Sequence, residues 1–299
     1  AAFMAITIGI IRMGVVDGIQ KATKILMPLL LGILVLLIFR SVSLEGAGEG
    51  LSFYLKPDFS KITIGTITDA IGQAFFTLSL GMGAMLTYGS YLSKKENIAD
   101  NAIYVIIFNS GIAIMAGLAI IPAVFALGYN PGAGAGLTFI TLPGVFANMP
   151  FGVVFGVLFF VLLTIAALTS AISLLEVVVA YFVDEKDWDR KKASTIMGIT
   201  IFIVGIPTVL GFSAWSEVTI MGMSIFDTYD WIANNILLPL GGLLTSIFAG
   251  YIWKSKNLIK EVNDSDSMVK IGSKYSFVLK YIVPVLILII MVLNIVNSF

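Results

Sequence analysis

The chain has 299 residues, 58% of them hydrophobic and only 12% charged, with 18 basic and 18 acidic side chains and so no net charge. It contains neither cysteine nor histidine, which excludes thiolate and imidazole metal sites, disulfides and Ser-His-Asp chemistry. Several apolar runs exceed the length that crosses a bilayer, so the composition describes an all-α polytopic membrane protein.

In chain order, residues 1 to 18 are apolar but interrupted by Arg12 and Asp17, and read as the last turns of a spanning helix at an interface. The chain opens on Ala-Ala-Phe-Met, inside that run and without a charged leader, so a missing N-terminal part is expected. Residues 24 to 40 form the next span, with Pro28 near its start, where proline is tolerated. Ser41 to Ile64 is polar and glycine-rich and reads as a surface loop.

The segment from Ile67 to Tyr91 follows. Its part from Ile71 to Tyr91 is uncharged and long enough to span, yet Ser79, Gly81 and Gly83 sit in its middle. Each glycine costs a helix interior roughly 1 kcal/mol relative to alanine, so a break is expected there. Backbone groups freed at membrane depth survive only where they line a polar cavity or meet a ligand. The competing reading is that the glycines only let a neighbouring helix approach closely.

Ser93 to Asp100 is a short charged loop, and residues 101 to 127 form a span with one strong polar residue, Asn109. Residues 128 to 150 carry no charge but several glycines and prolines around an apolar piece at Leu137 to Phe146, as a re-entrant or surface-capping segment would. Its Gly-x-Gly-x-Gly run at Gly132, Gly134 and Gly136 is not a phosphate loop, because no strand precedes it and no Lys-Ser/Thr follows. Spans at 151 to 183, 194 to 212, 222 to 253 and 275 to 297 complete a set of eight crossings, the first partial. A charged loop runs from Lys254 to Lys274.

Loop charge sets the orientation. With Ile71 to Tyr91 crossing once and residues 128 to 150 not crossing, 15 of the 18 basic residues fall on one side, which the positive-inside rule makes cytoplasmic. The cytoplasmic loops are then 19–24, 93–100, 184–193 and 254–274, in a multi-pass protein of the inner (plasma) membrane.

Acidic residues at membrane depth are candidate functional groups: Glu176 in the long helix, Asp227 and Asp230 three apart, and Asp69 near the outer end of the broken segment. For Glu176 a proton or cation role competes with a buried structural hydrogen bond, and for the aspartate pair a functional role competes with simple hydration. Thr169, Ser170 and Ser173 could bond back to the preceding turn, or with nearby carbonyls could offer hard oxygens to Na⁺; Thr77 and Asn109 make a second such set. With the broken helix they describe a cation-coupled transporter better than an enzyme, since no acid, base and nucleophile share a pocket.

Gly72 to Gly83, followed by Thr87-Tyr88 and Ser90-Tyr91, closely resembles the sixth helix of the neurotransmitter:sodium symporter family, in particular its bacterial amino-acid transporters. The resemblance continues through Phe139 to Pro143, Leu168 to Ile172, Phe226-Asp227 and Asp230-Trp231, and covers essentially the whole chain. It implies the leucine-transporter-type inverted-repeat fold, entered inside the fourth helix and left after the eleventh. Residues 1–64 would be the tail of the first repeat, 65–253 the second repeat, and 254–299 a cytoplasmic loop with the eleventh helix.

The resemblance also implies roles. Phe76 is similar to the aromatic lid over the substrate, and Phe75, Ser79, Met82 and Leu174 to the walls of its pocket. Thr77 and Asn109 resemble ligands of a first sodium site, and the Ala166 carbonyl with Thr169 and Ser170 half of a second. Asp230 resembles the extracellular gate acid and Asp184 the intracellular one, with Tyr91 and Ser90 as cytoplasmic partners. Ala113 stands where some relatives carry an acid and chloride-dependent ones a serine, which puts proton antiport and chloride dependence in doubt. With the first three helices absent the gate acids lack their arginines, and the chain is not expected to transport alone.

The function expected is Na⁺-coupled symport of a neutral amino acid by alternating access; the alternative is a truncated, non-transporting membrane protein with a partner-binding or regulatory role. The partners expected are the amino acid, Na⁺ and the lipid bilayer, with a second copy of the chain left open and no nucleic acid.

Overall fold

The computed structural model describes residues 1–131, 136–264 and 268–297. Among these, six helices are long and apolar enough to cross a membrane: α2 (Val15–Val42), α6 (Ile98–Ala126), α8 (Gly152–Asp184), α9 (Arg190–Gly211), α10 (Ile225–Ile252) and α12 (Lys274–Val296). The shorter helices are α1 (Ala2–Arg12), α3 (Ala47–Leu55), α4 (Ile64–Thr77), α5 (Ala84–Ser90), α7 (Leu137–Asn148) and α11 (Ser255–Asn263). The expected spans therefore recur, with the first as the short α1 and the third as the pair α4 and α5. The glycines of the 128–150 segment at Gly132 and Gly134 lie outside the described residues.

Four boundaries differ from the sequence reading. The second span begins at Val15 in a wide π turn, so Pro28 lies in the helix interior rather than near its start. A proline there is tolerated in a membrane bundle, where neighbouring groups take up the carbonyl its ring leaves unbonded. The expected loop from Ser41 to Ile64 contains α3. It docks because Gly50 has no side chain: a Cβ there would meet Pro122 Cα at 2.7 Å. Phe53 packs on Phe125 in a tilted pair with ring centroids 4.9 Å apart, and Tyr54 Oη donates to the Ile114 carbonyl at 3.3 Å.

The third difference precedes α10. Thr219–Ile220 (β1) and Met223–Ser224 (β2) pair antiparallel through Met221 and Gly222, both at positive φ, as a tight primed hairpin requires. Ser224 then caps α10, its hydroxyl accepting from Asp227 N at 3.1 Å and donating to Asp227 Oδ2 at 2.7 Å. Lastly, the charged loop after Lys254 holds α11.

The chain forms two compact units. One comprises Gly9–Lys61 and Phe108–Ile172. Its core joins Leu30, Ile33 and Leu37 of α2, Ala123 and Val124 of α6, Leu142 and Val145 of α7, and Phe159 and Ile165 of α8. The apolar piece at Leu137 to Phe146 is thus a helix whose Leu142 and Val145 are fully enclosed. Arg40 ties α2 to the α7–α8 turn, donating to the Pro150 carbonyl at 3.2 Å while its guanidinium sits 5.5 Å from the Phe155 ring centroid.

The other unit comprises Ala1–Ile8, Ile62–Ile107 and Ser173–Phe299. Here α10 and α12 lie side by side, with Ser246 Oγ donating to the Leu279 carbonyl at 3.1 Å and Tyr251 Oη to the Lys280 carbonyl at 2.9 Å. Gly211 and Phe212 at the end of α9 abut Ile225 and Phe226 at the start of α10. Both ends of α4 in this unit are defined by side chains and turns, and its C-terminal end is where the candidate site begins.

Candidate functional site

Thr63 and Thr66 start α4 with a reciprocal capping box, Thr63 Oγ1 accepting from Thr66 N at 3.1 Å and Thr66 Oγ1 from Thr63 N at 3.2 Å. The other end closes in a Schellman arrangement: Leu80 N donates to Phe75 O at 2.9 Å and Ser79 N to Phe76 O at 3.0 Å. Ser79 takes the left-handed position of that motif at φ 55, which usually belongs to glycine. Gly81 (φ 77) and Gly83 (φ 83) follow, and α5 resumes at Ala84.

The same glycines also meet other helices. A Cβ on Gly81 would run into the Leu238 carbonyl oxygen, one on Gly241 into the Gly81 carbonyl, and one on Gly242 would meet Phe75 Cε1 at 2.7 Å. Gly83 leaves no room either, with Val177 Cγ1 at 2.8 Å from where its Cβ would be. The helix breaks as expected, and at the break the glycines also let α8 and α10 approach closely, as the competing reading had it. The partner glycines Gly241 and Gly242 escaped sequence reasoning, although an adjacent Gly-Gly inside an apolar span was the available signal.

Around the break, the expected pocket residues diverge. Phe75 packs on Gly242. Phe76 is half-exposed and lines a polar cavity of about 420 Å³ with Asp69 and Gln73 of α4 and with Asn234, Asn235 and Asn294 from α10 and α12. Ser79 lies in the break itself, and Met82, partly buried, follows it. Leu174 is 48% exposed on α8 and shares a face with Val177, the residue that meets Gly83. Beside it, Ser173 Oγ accepts from Tyr88 Oη of α5 at 2.8 Å.

Of the expected sodium ligands, Thr77 ends α4 in this unit. Asn109 on α6 and the Ala166, Thr169, Ser170 set on α8 belong to the other. Within that set Thr169 Oγ1 donates to the Ala166 carbonyl at 2.9 Å, so the hydroxyl's lone pairs and the carbonyl oxygen lie together on one turn. That local pattern is the back-bonding weighed from the sequence.

The gate candidates Asp230, Asp184, Ser90 and Tyr91 all lie in the unit that holds the break. Asp230 accepts from Asn234 Nδ2 at 2.9 Å, at the rim of the polar cavity, whereas Asp227 is taken up by the Ser224 cap. Asp184 is the exposed last residue of α8, and Ser90 Oγ bonds its own helix at the Thr87 carbonyl, 2.7 Å away. Tyr91 is engaged with Glu176: its Oη donates to Glu176 Oε1 at 2.5 Å. Glu176 is fully buried, and its other oxygen takes Arg190 Nη2 at 2.5 Å. Arg190 counted in the sequence as one more loop cation; it opens α9 and neutralises the acid instead.

The sequence matches the sodium:neurotransmitter symporter family over residues 1–299. An uncharacterized sodium-dependent transporter of Bacillus subtilis, YhdH, is 41% identical over 289 residues, covering 96% of this chain. One of Haemophilus influenzae is 41% identical over 295 residues, covering 98%. The crystal structure of MhsT in complex with L-phenylalanine superposes with a TM-score of 0.86 at 46% identity, over 98% of this chain and 66% of MhsT. The chain spans 64% of the length of those two relatives. A helix broken between Thr77 and Ala84, six apolar spans and a match running the full length agree, and the chain belongs to the sodium:neurotransmitter symporter family, a family of membrane transporters.

Proposed function

We propose that the chain carries the substrate lid, one pocket wall and sodium ligands of a symporter that moves a neutral amino acid together with Na⁺. The observation that carries this reading is the interruption between Thr77 and Ala84, which leaves the negative end of α4 and the positive end of α5 within one chain segment. A zwitterion and a cation suit those two ends, and uncharged side chains at Phe75, Phe76, Met82 and Leu174 suit a neutral side chain between them. MhsT, the structural relative, was crystallised with L-phenylalanine, which agrees with that class.

In this reading Phe76 closes over the amino acid from outside. The oxygens of Thr77 and Asn109 serve one Na⁺, and the Ala166 carbonyl with Thr169 and Ser170 serves another. Asp230 acts at the outer gate. Asp184, Ser90 and Tyr91 act at the inner one, with loops 19–24, 93–100, 184–193 and 254–274 in the cytoplasm and the second repeat at 65–253. Na⁺ is carried as a co-substrate, each ion contributing about 2.3 kcal/mol per 100 mV of membrane potential.

The test is uptake of radiolabelled neutral amino acids into proteoliposomes that hold the chain completed by the family's first three helices, with and without an inward Na⁺ gradient. Accumulation that requires the gradient supports the reading. Gradient-independent uptake by a folded sample overturns the coupling.

A further inference from the structure

We infer that the segment between α10 and α12 is a basic platform that binds the anionic headgroups of the surrounding membrane. Its position is fixed by covalent geometry: α10 ends at Ile252 and α12 begins at Lys274, so both ends of the segment are held at one membrane surface. The span ends carry Tyr251, Trp253, Tyr275 and Tyr281, the aromatic types that settle at headgroup level.

The helix within it is two-faced. Ser255, Leu258, Ile259, Val262 and Asn263 form the stripe turned inward, and Ser255 Oγ lies 2.5 Å from Ser276 Oγ. Lys256 and Lys260 are exposed on the opposite face, with Lys254 ahead of the helix and Lys270 and Lys274 beyond it. None of these five lysines enters an ion pair among the described residues. The acids of the segment are Glu261, Asp264 and Asp266, so six lysines through Lys280 leave a positive excess.

The described parts of the platform are held in place. Asn263 clips the segment to itself, Nδ2 donating to the Ile271 carbonyl at 2.8 Å and Oδ1 accepting from Ile271 N at 2.9 Å. Asp100, 7% exposed in the first turn of α6, accepts Met268 N with both carboxylate oxygens at 3.1 and 3.2 Å. That contact sets the platform beside the loop that carries Lys94 and Lys95, with Glu96 the acid among them. A buried carboxylate spent on one backbone N–H, 168 positions away in sequence, pins the chain at Met268 to the start of α6. Lysines held at a headgroup surface attract anionic lipid, and fixing them beforehand lowers the ordering cost of binding.

The chain has no cysteine, so Asn257→Cys on the exposed face of α11 accepts one fluorophore. The labelled protein is reconstituted in nanodiscs of phosphatidylcholine containing an equal small fraction of brominated phosphatidylglycerol or brominated phosphatidylcholine. The expected result is preferential quenching by phosphatidylglycerol, on the order of tenfold enrichment at low salt. It is lost at 0.5 M NaCl and in a variant with Lys254, Lys256, Lys260, Lys270 and Lys274 changed to Gln. Asp100→Asn is expected to lower the preference with the lysines in place. Equal quenching by the two lipids at low salt overturns the proposal, and an unchanged preference in Asp100→Asn overturns the part given to that carboxylate.

Discussion

Arg190, the first residue of α9, places Nη2 2.5 Å from Oε2 of Glu176, an acid with no solvent exposure that lies midway along the second half of α8. The pair joins two spans, and Tyr91 of the broken helix shares the carboxylate through its other oxygen. Taking one partner from a buried ion pair costs about 3–5 kcal/mol, because the remaining charge stays desolvated. The cost should be unequal here. Arg190 keeps 22% side-chain exposure and can turn to water, whereas Glu176 cannot. Arg190→Gln is therefore expected to lower the unfolding temperature more than Glu176→Gln, with Tyr91→Phe the mildest at about 1–2 kcal/mol. Thermal unfolding of the detergent-solubilised variants ranks the three.

Gly81→Ala is expected to be severe. Its Cβ would meet the Leu238 carbonyl, and φ 77 adds about 1–2 kcal/mol of strain for any L side chain. Gly89, eight residues on and inside α5, has nothing within 4 Å of its Cβ position. Gly89→Ala should stabilise the half-helix by about 0.5–1 kcal/mol. Expression and unfolding temperature compared between the two separate the break's geometry from mere glycine removal.

The docking of α3 has a similar paired check. At Gly50 a Cβ would meet Pro122 Cα at 2.7 Å and the Ile121 carbonyl at 2.9 Å, both backbone atoms that have little room to yield. Gly48, on the same helix, meets nothing within 4 Å. Gly50→Ala should lift α3 and speed hydrogen exchange across Ala47–Leu55, and Gly48→Ala should leave it protected.

Sodium dependence tests the oxygen sets. Thr169→Ala and Asn109→Ala in the completed transporter are expected to raise the Na⁺ concentration needed for amino-acid binding by tenfold or more, roughly 1.4 kcal/mol or above. Thr164 bonds the Phe160 carbonyl at 2.7 Å on the same helix, by the same back-bonding, and is exposed. Thr164→Ala should leave the Na⁺ titration unchanged. Scintillation-proximity binding of whichever labelled neutral amino acid is taken up in the proteoliposome assay, against Na⁺ concentration, reads all three.

The sequence by itself determined the membrane class, six of the spans and the place of the break. These rest on local properties: uncharged runs of spanning length, and Ser79, Gly81 and Gly83 where a helix cannot continue without cost. It also supplied the family, because the stretch from Gly72 to Tyr91 is specific enough to compare. Pro28 and Val15 were misjudged for a local reason too: a wide turn after Gly14 lets the helix start before the apolar run becomes dense.

Only the tertiary structure decided the partners. That Gly81 faces Leu238 and Gly241, that Arg190 serves Glu176 rather than the loop, and that Asp100 holds Met268 are contacts between different elements of the chain. Periodicity reports which face of a helix is apolar. It carries no information on which helix meets that face, since close packing chooses the neighbour by shape and by where each buried polar group finds its complement.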